Sequence, residues 1–519
     1  MILKFRSFAV GAGLLAAACG APATSARPIA TAPTPAAAES NVPHALNETA
    51  GLFRDPQIAA VLADVDPAHI RHTDSMLVTF GTRNTFSDTT SATRGIGAAR
   101  RWIFSEFERY SRDCGGCLRV EYNAKVQEIR RAQGRDTIVR SANIVDVLAW
   151  LPGRDTTRVI VMSGHYDSCV CSAGGSFDST STAPGADDDG SGTSAIVELA
   201  RVFSKRFPKG LNSSIIFVAV ASEEQGLNGS RQLAEYLHEK GYKVIAGMTD
   251  DIVGNVTAED GTTDSTSMRI FAADPDNSPS RELGRYVWAL DRLYLPNFEV
   301  LPVWRLDRIG RGGDHEPYVT LGDAGLRFTE RVENYNRQHL PTDDFAHVNF
   351  GYIANVARVN AITVGSLAAA PPTPANARAT RQGRAGIDST GAPATASSSG
   401  GQAWTMSWDA SPGAAGYELL IRRTTSPTWD RVIPLGNVTR CTLRRQLDDE
   451  WAGVRALGAN GARSMAASMP APNAPRGQAA GQRGAAAGGQ RGAGGGAGGA
   501  PGGGRGGQPA GPPPALCGS

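Results

Sequence analysis

Pro184-Gly185-Ala186-Asp187-Asp188-Asp189-Gly190-Ser191-Gly192 sets three consecutive carboxylates between glycines. Like charges side by side repel, and such a cluster can be buried only where cations or strong hydrogen-bond donors compensate it. An amphipathic stretch follows at once. Ile196, Leu199, Ala200, Phe203 and Phe207 recur on one helical face, and Ser191 or Thr193 is available as the N-cap. Alone, an acidic turn opening a helix reads either as a solvated cap or as part of a metal site. The choice turns on whether other ligand types end neighbouring strands.

Working outward, apolar runs at 143–150, 158–162, 214–221 and 243–248 alternate with helix-like segments at 193–207 and 230–240. Helical spacing also recurs between 46 and 112, through Ile58, Val61 and Leu62, then Ile96, Ala99, Trp102, Ile103 and Phe107. The alternation predicts an α/β sheet with a largely parallel core covered on both faces. Ligands of such sheets sit at the carboxyl ends of strands.

Those ends carry ligand types. Val159-Ile160-Val161-Met162 leads to His165-Tyr166-Asp167, and Ile215 to Val220 leads to Glu223-Glu224. Val244 to Met248 leads to Asp250-Asp251; further on stand Asp314-His315-Glu316-Pro317-Tyr318 and His339 to Asp343. Any one of them is explained by a hydrogen-bonded structural histidine, a turn or a solvated strand end. Together, in this order, they describe a site of imidazole nitrogen and carboxylate oxygen. That donor set suits zinc or a similar divalent ion, and the number of carboxylates points to two ions sharing one bridge.

The ordered motifs His165-Tyr166-Asp167, Gly185-Ala186-Asp187-Asp188, Glu223-Glu224 with Gly226 and Gly229-Ser230, Asp251-Ile252-Val253-Gly254, Asp314-His315 with Pro317-Tyr318, and Asn334-Tyr335-Asn336 with His339 and Asp343 resemble those of the two-zinc exopeptidases. That family includes bacterial leucyl aminopeptidase, aminopeptidase Y, glutamate carboxypeptidase and the glutaminyl cyclases. The resemblance runs from about residue 46 to 368. It implies a three-layer α/β/α sandwich with a mostly parallel central sheet. It also implies two Zn2+ ions bridged by Asp187, with His165 and Asp251 completing one shell and Glu224 and His339 the other. His315 is the second choice of ligand. By the same resemblance Asp167 orients the His165 ring, Asp188 follows the bridge through a strained peptide bond, and Glu223 is the general base and acid. The implied activity is removal of N-terminal residues from peptides by a monomeric enzyme. Carboxypeptidase, glutaminyl cyclase and a non-catalytic binding protein on the same scaffold are the alternatives. The family's oxyanion-binding tyrosine has no counterpart at 308–311, and Arg305, Arg308 and Arg311 read as a solvated loop.

The remainder bounds the setting. The 519 residues hold 52 Lys plus Arg against 50 Asp plus Glu, a net charge of +2 that offers no footprint for nucleic acid. Lys4 and Arg6 precede an apolar run from Phe8 to Ala18, the length of a secretory signal rather than of a membrane span. Residues 1–18 therefore read as a signal peptide and 19–45 as a tether. Leu15-Ala16-Ala17-Ala18-Cys19 also resembles a lipoprotein signal that would anchor the exported protein through lipidated Cys19; ordinary cleavage near Ala18 or Ala21 is the other reading. Cys114, Cys117, Cys169 and Cys171 are expected as disulfides, a four-cysteine zinc site being the rival. Cys441 has no nearby partner, and Cys517 falls in a tail, 472–519, of Gly, Ala, Pro, Gln and Arg that reads as disordered. Between the catalytic body, 46–369, and that tail, short apolar runs at 405–408, 417–422, 431–433 and 451–457 predict a small all-β sandwich over 371–471, similar to fibronectin type III modules.

Overall fold

A computed structural model describes residues 49–133, 136–171, 177–382, 403–470 and 515–517. The expected signal segment and tether, with Cys19, lie outside these residues, as does most of the tail.

Among the described residues three helices come first: α1 (Pro56–Val61), α2 (Pro67–Thr79) and α3 (Gly95–Asp113). The first two start where proline follows a capping aspartate, Asp55 accepting from Gln57 N and Asp66 from Ala68 N, both at 2.8 Å. A long hairpin follows, β1 (Arg119–Gln133) and β2 (Asp136–Leu151). The chain then alternates through β3 (Asp155–His165), α4 (Gly192–Arg206), β4 (Ser213–Val220), α5 (Asn228–Glu239), β5 (Lys243–Asp250), β6 (Ser267–Ala272), α6 (Pro279–Tyr294), β7 (Glu299–Val303), α7 (Glu316–Leu321), β8 (Gly325–Glu330) and α8 (Phe350–Ala369).

These strands form one mixed sheet of order β1-β2-β4-β3-β5-β8-β6-β7. Its four central strands, β4, β3, β5 and β8, are parallel; β2 joins β4 and β6 joins β8 in the antiparallel sense. The parallel core thus agrees with the alternating pattern, while both flanks depart from a mostly parallel sheet. The β1–β2 hairpin was not legible because β1 alternates polar and apolar residues without a clear boundary.

β4 is buried at all eight positions, as a central parallel strand must be. Its Ile215, Phe217 and Ala219 join a core with α3, α4, α6 and α8, whereas Ile216, Val218 and Val220 pack with Leu233 and Leu237 of α5 and Tyr318 of α7. β3 and β4 end in register, His165 opposite Val220, so the groups that follow them emerge side by side.

Beyond α8 lie two small antiparallel sheets. One orders as β13 (Arg440–Arg444), β10 (Ala403–Ser407) and β9 (Arg378–Arg381), the other as β12 (Arg431–Gly436), β11 (Ala414–Arg423), β14 (Glu450–Gly458) and β15 (Ala467–Met469). Trp404, Met406, Tyr417, Leu419 and Val454 share their core. These strands join the body through α6, where Glu282 accepts from Trp429 Nε1 at 3.1 Å and from Ser468 Oγ at 2.7 Å. The described residues belong to one compact unit.

Cys114–Cys117 and Cys169–Cys171 are disulfides, so the four thiols do not assemble a zinc site. The expectation for the last two cysteines is corrected: Cys441 is bonded to Cys517. Around it, Thr442 N donates to Ala515 O and Cys517 N to Thr442 O, each at 2.9 Å, so 515–517 lies against β13 like an added strand. Among the described residues no helix is long and apolar enough to cross a membrane.

Candidate metal centre and its cleft

His165 ends β3, Glu224 lies four residues past β4, Asp251 follows β5, and His339 sits in the loop between β8 and α8. The acidic turn between β3 and α4 reaches into their midst. Asp188 Oδ1 is 3.2 Å from His165 Nε2, which lies 3.9 Å from Asp251 Oδ1. The other oxygen, Asp188 Oδ2, is 3.1 Å from His339 Nε2, itself 3.3 Å from Glu224 Oε2. Two groups of nitrogen and oxygen donors thus share one carboxylate.

The residue between them is Asp188, which corrects the expectation for Asp187. Asp187 is turned aside: its Oδ1 accepts from Gly254 N at 2.8 Å and its carboxyl hydrogen-bonds Glu330. The bond after Asp188, not the one before it, is the cis peptide, joining Asp188 to Asp189. Asp189 serves the backbone, accepting from His165 N at 3.0 Å, Gly192 N at 2.9 Å and Ile252 N at 3.2 Å. It therefore caps α4 in place of Ser191, whose side chain makes no capping bond. Asp343 fixes the turn from the opposite side, its two oxygens accepting from Asp187 N and Asp188 N, both at 2.9 Å.

Asp167 reaches both His165 and the two glutamates, its Oδ1 lying 3.6 Å from His165 Nδ1. Its main-chain oxygen accepts from His165 Nδ1 at 3.1 Å, which turns Nε2 toward Asp188 and Asp251. Its carboxylate accepts from Glu223 N at 3.2 Å and Glu224 N at 3.3 Å, fixing the peptide that carries both glutamates. The loops are held in uncommon backbone states. Ser222, Ile252 and His339 all have φ near +60°, a region costly for any residue with a Cβ and most of all for a β-branched one. Ile252 stays there because Glu330 N and Asp189 bond its carbonyl and amide.

The electrostatics suit divalent cations. Burial pushes the carboxyls of Glu223 and Glu224 well above the ordinary range, and neighbouring acids add to it: Asp188 and Glu223 for Glu224, Asp251 and Asp314 for Glu223. Burial also works to raise Asp188, but the imidazoles of His165 and His339 beside it hold it well below its usual value. His165 Nε2, Asp188 Oδ2 and Glu224 Oε1 are buried without a hydrogen-bond partner. One orphaned imidazole nitrogen and two orphaned carboxylate oxygens, within a set of two imidazoles and three carboxylates, fit zinc.

His315, the second choice, is elsewhere. Its Nε2 donates to Leu306 O at 2.9 Å, and burial lowers its pKa to about 4. Asp314 is buried beneath the site, its carboxyl raised by burial to about 7. Two arginines carried no recognisable signal, being isolated in sequence. Arg327 Nη2 lies 2.8 Å from Asp251 Oδ1. Arg83 is fully buried and donates to Tyr166 O at 2.7 Å and Gly185 O at 2.8 Å, and also to Pro184 O, tying β3 to the acidic turn.

A cleft of about 500 Å³ opens over the centre, lined by Asp188, Glu223, Glu224, Asp251 and His339, with Arg308, Arg311, Tyr335 and Gln338 along its wall. Arg305 is exposed, as a solvated loop requires, but Arg308 is only 8% exposed and is paired with Asp307 and Glu333.

The profile of peptidase family M28 matches residues 146–364. A probable zinc metalloprotease of Leptosphaeria maculans is 36% identical over 446 residues, covering 80% of this chain and 98% of that protein. Another, of Pyricularia oryzae, is 36% identical and covers 80% of this chain and 85% of its own. The solved structure of the Legionella pneumophila LapA aminopeptidase aligns with a TM-score of 0.47 at 20% identity, over 65% of this chain and 79% of that one.

Proposed function

Since the chain belongs to peptidase family M28, we propose that it is an exported zinc metalloprotease with two ions, acting as an aminopeptidase that removes N-terminal residues from peptides. The observation that carries this reading is Asp188 shared between the His165–Asp251 and the His339–Glu224 groups, with Glu223 beside them at the floor of an open cleft. His165, Asp188 and Asp251 would hold one ion, and Asp188, Glu224 and His339 the other. Zinc, when bound, supplies Lewis acidity toward the scissile carbonyl and acidifies a water.

The chain's own residues supply the rest. Glu223 is not in either donor group, so its carboxylate is free to take a proton from the attacking water and pass it to the leaving amine. Burial raises its pKa, which helps it hold the proton between the two transfers. Asp167 keeps Glu223 in place through the backbone. Export is supported by the disulfides and by the signal-like run at Phe8 to Ala18, and helices on both faces of the sheet support the three-layer reading. The two small sheets after α8 support a fibronectin type III-like module.

The test is release of p-nitroaniline from aminoacyl p-nitroanilides by the signal-less protein, with chelator and then with zinc. Chelator-sensitive turnover restored by zinc is the expected result. A zinc-loaded protein that releases nothing across a panel of residues would refute the aminopeptidase activity.

A further inference from the structure

The charge of the cleft divides cleanly. Every carboxylate lining it, Asp188, Glu223, Glu224 and Asp251, belongs to the donor groups or is the proposed base; the other charged side chains lining it are Arg308, Arg311 and Arg327. Arg327 is consumed by Asp251 and Asp307. Arg308 is neutralised on Nε and Nη1, yet its buried Nη2 has no hydrogen-bond partner. Arg311 makes no ion pair among the described residues. Its one contact is neutral, Nη2 donating to Gln338 Oε1 at 3.3 Å. Gln338 is itself anchored to Glu333 at 3.2 Å and immediately precedes His339, which fixes the Arg311 guanidinium close to the metal centre.

A guanidinium left without a counter-charge in a cleft wall matches a carboxylate better than any neutral group, because its planar N–H edge takes both oxygens. We infer that Arg311, backed by Arg308, selects peptides carrying a carboxylate within about one residue of the scissile bond. That carboxylate is either the free C-terminus of a short peptide or an acidic side chain next to the cleaved bond. The inference rests on the zinc peptidase reading of the same cleft and narrows its substrates.

Four peptides separate the cases when kcat/KM is measured with the zinc-loaded enzyme: Leu-Ala, Leu-Ala-amide, Leu-Glu-amide and Leu-Gln-amide. Wild type is expected to favour Leu-Ala over its amide at least tenfold if the terminus is read, or Leu-Glu-amide over Leu-Gln-amide if the side chain is. Arg311→Ala should erase that ratio through a higher KM for the anionic member, and Arg311→Lys should keep part of it. Arg305→Ala, altering an exposed arginine of the same loop, should preserve it. Equal hydrolysis of acid and amide in both pairs, or a ratio unchanged in Arg311→Ala, overturns the inference while leaving a peptidase. No turnover of any of the four, nor of the p-nitroanilides, removes the peptidase reading and this one together.

Discussion

Arg327 Nη2 stands 2.8 Å from Asp251 Oδ1 and 3.2 Å from its main-chain oxygen, with both side chains buried. The guanidinium bridges onward to Asp307 at 3.0 Å, so a cation is built permanently into the protein behind one proposed ligand. The aspartate is thereby held in one orientation whether or not an ion is present.

Removing that cation should be costly. Arg327→Met leaves the buried Asp251 without its partner and Asp307 with Arg308 alone, and breaking a buried pair on one side costs about 3–5 kcal/mol. A lowered midpoint in denaturant unfolding, accompanied by loss of zinc, is expected. Unchanged stability would mean that the pair is not the one holding Asp251.

The register of the acidic turn is open to direct measurement. Asp188→Asn should lose most bound zinc by elemental analysis, since both donor groups share that carboxylate. Asp187→Asn keeps an acceptor for Gly254 N and should retain zinc. Equal losses in the two variants would contradict the geometry.

Glu223→Gln keeps size and hydrogen bonding but cannot accept the proton. Its kcat should fall by roughly 10²–10⁴, the usual contribution of a general base, with metal content unchanged. A fall of less than tenfold would assign the proton transfer to another group.

Asp291 is expected to shape the acid side of the stability curve. It is buried on α6 with one oxygen accepting from Val300 N at 3.0 Å, and burial raises its pKa to about 7. A carboxyl whose pKa is higher folded than unfolded stabilises the fold below its unfolded pKa, and that stability is lost as pH rises toward 7. The effect is at most about 4 kcal/mol. Asp291→Asn should flatten the decline between about pH 4 and 7 in thermal melts recorded across that range.

Much of this was legible because chemistry and periodicity coincide. His165, Glu224 and Asp251 each follow an apolar run whose end is easily read, and the helix expected at 193–207 is observed at Gly192–Arg206. The bridge could not be numbered from sequence because three adjacent aspartates are chemically alike. What distinguishes them lies far along the chain: Gly254 claims Asp187, His339 meets the carboxylate of Asp188, and Ile252 claims Asp189. Arg308 illustrates the same limit. Beside Arg305 and Arg311 it looks like a solvated charge, and only Glu333, 25 residues on, draws it into the wall.

The bond from Cys441 to Cys517 spans 76 residues and makes 441–517 a covalent ring. A protease that nicks the chain anywhere in 471–514 therefore releases nothing. The two pieces migrate as one species until a reductant separates them, and trimming from a fresh end stops where the ring is tied to β13.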